Sequence, residues 1–117
     1  MIVGYARVST EEQNIDLQIR ALESANCDRI YFDHGFSGAV FDRPGLRRAV
    51  KDLDPGGVLV VWRLDRLGRS LSKLVQFVEE LGSRGVEFRS LTENIDTMSS
   101  GGRLVFHIMA ALAEFER

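Results

Sequence analysis

The chain has one cysteine, two prolines and two lysines in 117 residues. A lone thiol, Cys27, excludes an internal disulfide and fits a reducing compartment. Apolar runs such as 58–62 are far too short to cross a bilayer, and the opening MIV is too short for a signal peptide. The expectation is an intracellular, cytoplasmic chain with no membrane partner. A basic excess is also missing: the formal net charge of −2 argues against attachment to nucleic acid by bulk attraction alone. No repeat, linker or low-complexity stretch divides the chain, and 44% hydrophobic content suffices for a single core. No G-x-S-x-G surrounds a serine, and the two histidines, His34 and His107, lie in segments unrelated to Ser9, which disfavours a protease-type triad.

What is abundant is arginine, 13 of the 15 basic residues. Its planar, permanently charged fork binds phosphate bidentately, as lysine does not. Their positions therefore matter more than the net charge.

Apolar periodicity predicts alternating strands and helices. Strands are expected at 1–7, 29–33, 58–62 and 86–91, and helices at 11–25, from about 43 to 53, at 71–81 and at 103–117. Pro44 suits the first turn of the second helix, and VLVVW, apolar on both faces, reads as a central strand of a parallel sheet. The polar stretch TENIDTMSSGG reads as a loop. The last helix carries Leu104, Ile108, Met109, Leu112 and Phe115 on one stripe. The fold class is therefore α/β, a mainly parallel sheet flanked by helices, with a long C-terminal amphipathic helix.

In such sheets ligands bind beyond the carboxyl ends of the strands. Period-two alternation in MIVGYARVS puts Val3, Tyr5, Arg7 and Ser9 on one face and Ile2, Gly4, Ala6 and Val8 on the other. Ser9 follows the first strand. It also fits a helix-capping box with Glu12, as Thr10 does with Gln13. RLDRLGR follows the central strand, and its Arg63, Arg66 and Arg69, three apart, are expected along one side of a helical turn, with Asp65 among them. A hydroxyl beside several guanidiniums suits attack on a phosphodiester, since phosphoryl transfer relies on positioning and on stabilising charge on the equatorial oxygens.

YARVST at 5–10, Gln13 and Gln18 in Q-x(4)-Q, DRPGL at 42–46, LDRLGR at 64–69 and ALAEFER at 111–117 together resemble the serine recombinases of the resolvase/invertase family, over the whole chain. The resemblance implies a resolvase-like catalytic domain covering 1–117. It would include the start of a dimerisation helix at about 103–117, with a separate C-terminal DNA-binding domain absent from this chain. It implies Ser9 as the nucleophile, forming a 5′-phosphoserine link to DNA. Arg7, Arg66 and Arg69 would hold the scissile phosphate, Arg43 would add a contact, and Asp65 would fix the arginines; Gln18, Gln13 and Tyr5 would support them. No cofactor or metal is implied. The implied partners are double-stranded DNA at a specific recombination site and a homodimer that assembles into a synaptic tetramer, in the cytoplasm at the nucleoid. Transposon resolution is the first reading, with inversion or integration as alternatives. Two other classes stand beside it: a metal-dependent nuclease or phosphatase using Asp33, Asp42 or Asp65, and a noncatalytic dimerisation module in which Ser9 is only a cap.

Overall fold

The computed structural model describes residues 1–9 and 15–115. Its elements run β1 (Ile2–Val8), α1 (Asp16–Ser24), β2 (Arg29–His34), α2 (Pro44–Lys51), β3 (Val58–Val61), α3 (Leu64–Leu67), α4 (Leu71–Ser83), β4 (Glu87–Ser90), β5 (Ile95–Asp96) and α5 (Ser100–Phe115). The five strands form one sheet in the order β2-β1-β3-β4-β5. Pairings among the first four are parallel, and β5 runs antiparallel to β4. VLVV is the central strand, and all four of its residues are buried. The α/β expectation holds.

The side-chain alternation of β1 divides the core into two layers. Val3 and Tyr5 join Leu59, Val61 and Phe88 under α2 and α4, whose Leu46, Ala49, Leu74, Val78 and Leu81 close that layer together with Leu53 just past α2. Ala6 joins Val58 and Val60 on the other side, under Leu22 of α1. Gly4 lies on that side too, where a Cβ would stand 3.0 Å from the Cys27 sulfur and 3.2 Å from a Leu22 methyl carbon. Its missing side chain lets α1 sit close to the sheet. Burial pushes the Cys27 thiol up to about 11, well away from a reactive thiolate.

Several boundaries differ from the sequence reading, each for a physical reason. α1 starts at Asp16 with Ile15 at the N-cap position; the proposed capping segment from Thr10, with Gln13, lies outside the described residues. RLDRLGR does not form a helical face. α3 has only four residues, Arg63 before it is extended, and the chain leaves through Gly68 in an extended conformation, so Arg63, Arg66 and Arg69 diverge.

The stretch expected to be a loop at 92–102 contains β5 and the first turn of α5. Thr97 fastens it: its amide donates to the Phe88 carbonyl at 3.0 Å and its hydroxyl accepts from the Phe88 amide at 2.8 Å. Gly102, within α5, leaves room for a close approach, since a Cβ there would fall 1.8 Å from the Asp96 carbonyl oxygen. The apolar stripe of α5 does not enter the core. Leu104, Val105, Ile108, Leu112 and Phe115 are all exposed, the last by 88%. Among the described residues no helix is long and apolar enough to cross a membrane.

The adjacent glycines at the root of α5 supply a paired test. Gly102→Ala should destabilise the fold by about 1–3 kcal/mol through overpacking against Asp96. Gly101→Ala, with nothing within 4 Å of its Cβ position, should stabilise it by about 0.5–1 kcal/mol through helix propensity. Denaturant midpoints that move in the same direction for both would contradict this packing.

Candidate active site

Arg7 lies near the carboxyl end of β1, and its side chain is completely buried. A buried guanidinium is tolerable only when its donors are satisfied. Here Nε donates to the Arg66 carbonyl at 3.0 Å, Nη1 to the Phe36 carbonyl at 2.7 Å and Nη2 to the Asp65 carbonyl at 2.7 Å. One cation therefore gathers backbone from the β2–α2 loop and from α3. Arg66 reciprocates: its Nη1 donates to the Arg7 carbonyl at 3.2 Å and its Nε to Asp65 Oδ1 at 3.1 Å. Asp65 also pairs with Arg63 at 3.5 Å, so its carboxylate contacts two arginines.

Gln18, buried on α1, holds the same backbone from the opposite side. Its Oε1 accepts from the Arg7 amide at 3.1 Å and its Nε2 donates to the Arg7 carbonyl at 2.9 Å. The side-chain amide thus behaves like one more residue of strand pairing. Two residues farther on is Ser9, half-buried just past the end of β1. The Gly35 amide donates to the Val8 carbonyl at 2.9 Å immediately before it.

Arg43 is equally buried. It donates through Nε to the Val40 carbonyl, through Nη2 to the Leu67 carbonyl, and through Nη1 to the Tyr5 hydroxyl at 2.8 Å and the Arg66 carbonyl at 3.3 Å. Its guanidinium also stands over the rings of Tyr5 and Phe41, 5.7 and 5.5 Å from their centres. In this structure Arg43 faces protein oxygens and aromatic rings, and it shapes the α3 turn from below.

Tyr5 completes a chain by donating its hydroxyl to Asp33 Oδ2 at 2.7 Å. Burial holds the phenol well above its ordinary value of 10; Asp33 as acceptor adds to the rise, and the Arg43 charge opposes it. Asp33 in turn accepts the amides of Gly45 and Leu46 at 2.8 and 3.0 Å. It caps α2, whose own N-cap residue Arg43 offers no side-chain acceptor. The DRPG motif follows from this contact. Pro44 opens the helix, and a Cβ on Gly45 would fall 2.4 Å from the Phe32 carbonyl oxygen.

Arg69 is exposed. Its amide donates to the Gly38 carbonyl at 3.2 Å, and its side chain flanks Gly38 opposite Arg7. A Cβ on Gly38 would lie 3.0 Å from Arg69 Cγ and 3.1 Å from Arg7 Nη2. Gly68, just before Arg69, is crossed by the Phe41 ring, whose Cε2 would lie 2.0 Å from a Cβ there. The constraint on the LGR step is therefore steric: a side chain at 68 collides with Phe41.

Tyr5, Arg7, Gln18, Arg43, Asp65 and Arg66 are thus joined in one hydrogen-bonded network at the carboxyl ends of β1 and β3, beside Ser9, with the exposed Arg69 side chain next to it at Gly38; Gln13 is outside the described residues. Asp33, Gly38 and Gly68 are the members that sequence reasoning did not identify as parts of it. Asp33 had a usable signal, because a helix opening at Arg-Pro-Gly with no Ser, Thr, Asp or Asn at its cap needs an acceptor from elsewhere. The acid set weighed for a metal is dispersed. Asp33 caps α2, Asp42 pairs with Arg47 at 2.6 Å, Asp65 braces arginines, and among the described residues no three His, Cys, Asp or Glu side chains group as metal ligands.

The sheet thus carries a guanidinium network at the carboxyl ends of β1 and β3, with Ser9 just past the end of β1. The fold matches the N-terminal catalytic domain of TP901-1 integrase with a TM-score of 0.87 and 36% identity, over 99% of this chain and 95% of that one. The chain belongs to the resolvase N-terminal domain family, whose model matches residues 2–117. It is 59% identical over 115 residues to the DNA-invertase hin of Salmonella typhimurium, covering 98% of this chain and 60% of that protein. It is 50% identical over 119 residues to the transposon Tn552 resolvase of Staphylococcus aureus, covering 100% and 60%. The chain therefore spans about 60% of the length of these curated relatives.

Tyr5→Phe should cost about 1–3 kcal/mol, because Asp33 and Arg43 each lose a buried partner. The pH dependence has a defined sign. The folded phenol's value is above the unfolded one, so its contribution is complete below pH 10 and is lost as pH rises beyond it. Stability curves of wild type and Tyr5→Phe should therefore converge above pH 10; curves that stay parallel there would contradict the buried neutral phenol.

Proposed function

We propose that this chain is the catalytic domain of a site-specific DNA recombinase in which Ser9 is the nucleophile. The observation that carries the proposal is the reciprocal Arg7–Arg66 lock, which concentrates fixed positive charge at the strand ends two residues from the Ser9 hydroxyl. Ser9 Oγ bonds to phosphorus as the bond to the 3′ oxygen breaks, giving a 5′-phosphoserine link and a free 3′ hydroxyl. The proton lost by Ser9 is matched by the one the 3′ oxygen gains. Arg66 and the exposed Arg69 meet the phosphate oxygens, and Arg7 and Arg43 supply field and shape from below, moving to direct contact when DNA closes the site. Gln18 and Tyr5 fix the backbone and the Arg43 head, and Gln13 supports the entering strand. The bond energy is conserved in the covalent link, so the reaction needs neither nucleotide cofactor nor metal.

The reading extends to partners. The exposed stripe Leu104, Ile108, Leu112 and Phe115 on α5 suits a second copy of the chain, giving dimers that pair into a synaptic tetramer on double-stranded DNA. A DNA-binding domain following 1–117 would supply most of the sequence recognition, which fits the chain's acidic balance. The protein would work in the cytoplasm at the nucleoid. Resolution of a transposon cointegrate is the expected outcome, within a family whose members are also named as invertases and integrases.

On a nicked suicide duplex, the full gene product should become covalently attached to the 5′ end, and Ser9→Ala should abolish the adduct while still binding DNA. A chelator should leave the wild-type rate unchanged, and Arg66→Ala should lower it about 100-fold or more. Adduct formation by Ser9→Ala, or magnesium-restored activity after chelation, would overturn the mechanism. Ile108→Lys should shift the dimer toward monomer in analytical ultracentrifugation; an unchanged dissociation constant would exclude α5 as the contact.

A further inference from the structure

α3 carries Asp65 and Arg66, yet it is one turn long and has no cap of its own, since Arg63 at its N-cap position offers no acceptor. A single turn is not stable by propensity and depends on tertiary ties. The tie comes from the turn between β4 and β5. The Leu64 amide, first in α3, donates to Glu93 Oε2 at 3.1 Å. Glu93 is itself held, because the hydroxyl of Ser90, buried at the end of β4, donates to its Oε1. Around this contact the Leu91 amide donates to the Val61 carbonyl at 3.0 Å, and the Thr92 amide and hydroxyl donate to the Trp62 carbonyl at 2.9 and 2.7 Å.

The same turn runs into the root of α5. Asn94 takes a left-handed conformation, φ 58, and leads into Ile95–Asp96. The Asp96 carbonyl accepts the Ser99 amide at 3.1 Å, beside the close approach of Gly102. Glu93 therefore stands between the helix with the exposed apolar stripe and the turn that carries Arg66.

We propose that Glu93 is a positioning residue for strand cleavage. Its carboxylate caps α3, fixes the Asp65–Arg66 pair against Arg7, and ties that pair to the root of α5. The inference rests on the recombinase reading above. Glu93 bonds to the Leu64 amide and the Ser90 hydroxyl, so its effect passes through the backbone of Leu64. It is exposed, so its removal loosens the turn without emptying the core.

The experiment compares wild type, Glu93→Ala and Glu93→Gln as full gene products on the nicked duplex, in single turnover. Glu93→Ala should cleave about 100-fold more slowly, the scale expected for a small misplacement of a catalytic group, with DNA affinity close to wild type. Glu93→Gln should recover most of the rate, because its amide oxygen still accepts from Leu64 and its NH₂ can donate to the Ser90 hydroxyl. In the protein without DNA, the Arg66 Nε–H resonance should shift in the alanine variant and stay in place in the glutamine variant. Wild-type cleavage by Glu93→Ala, a glutamine variant as slow as alanine, or an unmoved Arg66 resonance would overturn the proposal. Absence of any Ser9 adduct in wild type would instead sink the recombinase reading, and the resonance would still decide the role of Glu93 in holding Arg66.

Discussion

The arrangement depends on where the Arg7 guanidinium is. Buried in the protein, it donates to the carbonyls of Phe36, Asp65 and Arg66. Phe36 lies in the β2–α2 loop and Asp65 and Arg66 in the single turn of α3, and none of them is held by sheet pairing. A charged hydrogen bond contributes about 1.5–3 kcal/mol, and a buried cation left unsatisfied costs more. The loops are thus drawn in by the cation, and the cation is tolerated because the loops come. Arg66 returns the bond to the Arg7 carbonyl, so displacement of either arginine disturbs the other. Local order at the strand ends and positive charge at the site therefore have the same source.

A second layer supports this one. Asp33, Tyr5 and Arg43 form a buried polar chain from the start of α2 to the carbonyls of Arg66 and Leu67. It replaces what would be apolar packing under the α3 turn. Such a network is rigid when complete and costly when broken, which suits a platform that must keep its shape under a charged ligand. Helix capping and site geometry are here the same set of bonds, since the carboxylate that caps α2 also fixes the phenol that fixes Arg43.

The sheet and the longer helices were legible in the sequence because their burial imposes a period: VLVV could only be central, and α4 shows its spacing over three turns. β5 was not legible. Two residues carry no period, and they are strand only because Thr97 fastens to Phe88. The start of α5 was missed because Gly101–Gly102 reads as loop, whereas Gly102 is there to admit the Asp96 carbonyl. The arginine triplet misled for a related reason: a spacing of three implies a face only if the helix continues, and Gly68 with Phe41 across it stops α3 after one turn. That Tyr5 and Arg7 share a face followed from the pleat alone. That Gln18 supports the site came from resemblance; its clamp on the Arg7 backbone and the Asp33 cap on α2 were visible only once the chain had folded.

The two arginines that lock together lie 59 residues apart in the chain, and the strand that carries the second approach into place is the central one. A polypeptide still emerging from the ribosome, with only its first half out, owns the alcohol and one cation but not the other. Synthesis thus imposes an order of assembly: the Arg7–Arg66 lock cannot form in a half-made chain, and closes only after the central strand β3 and the turn that follows it have emerged.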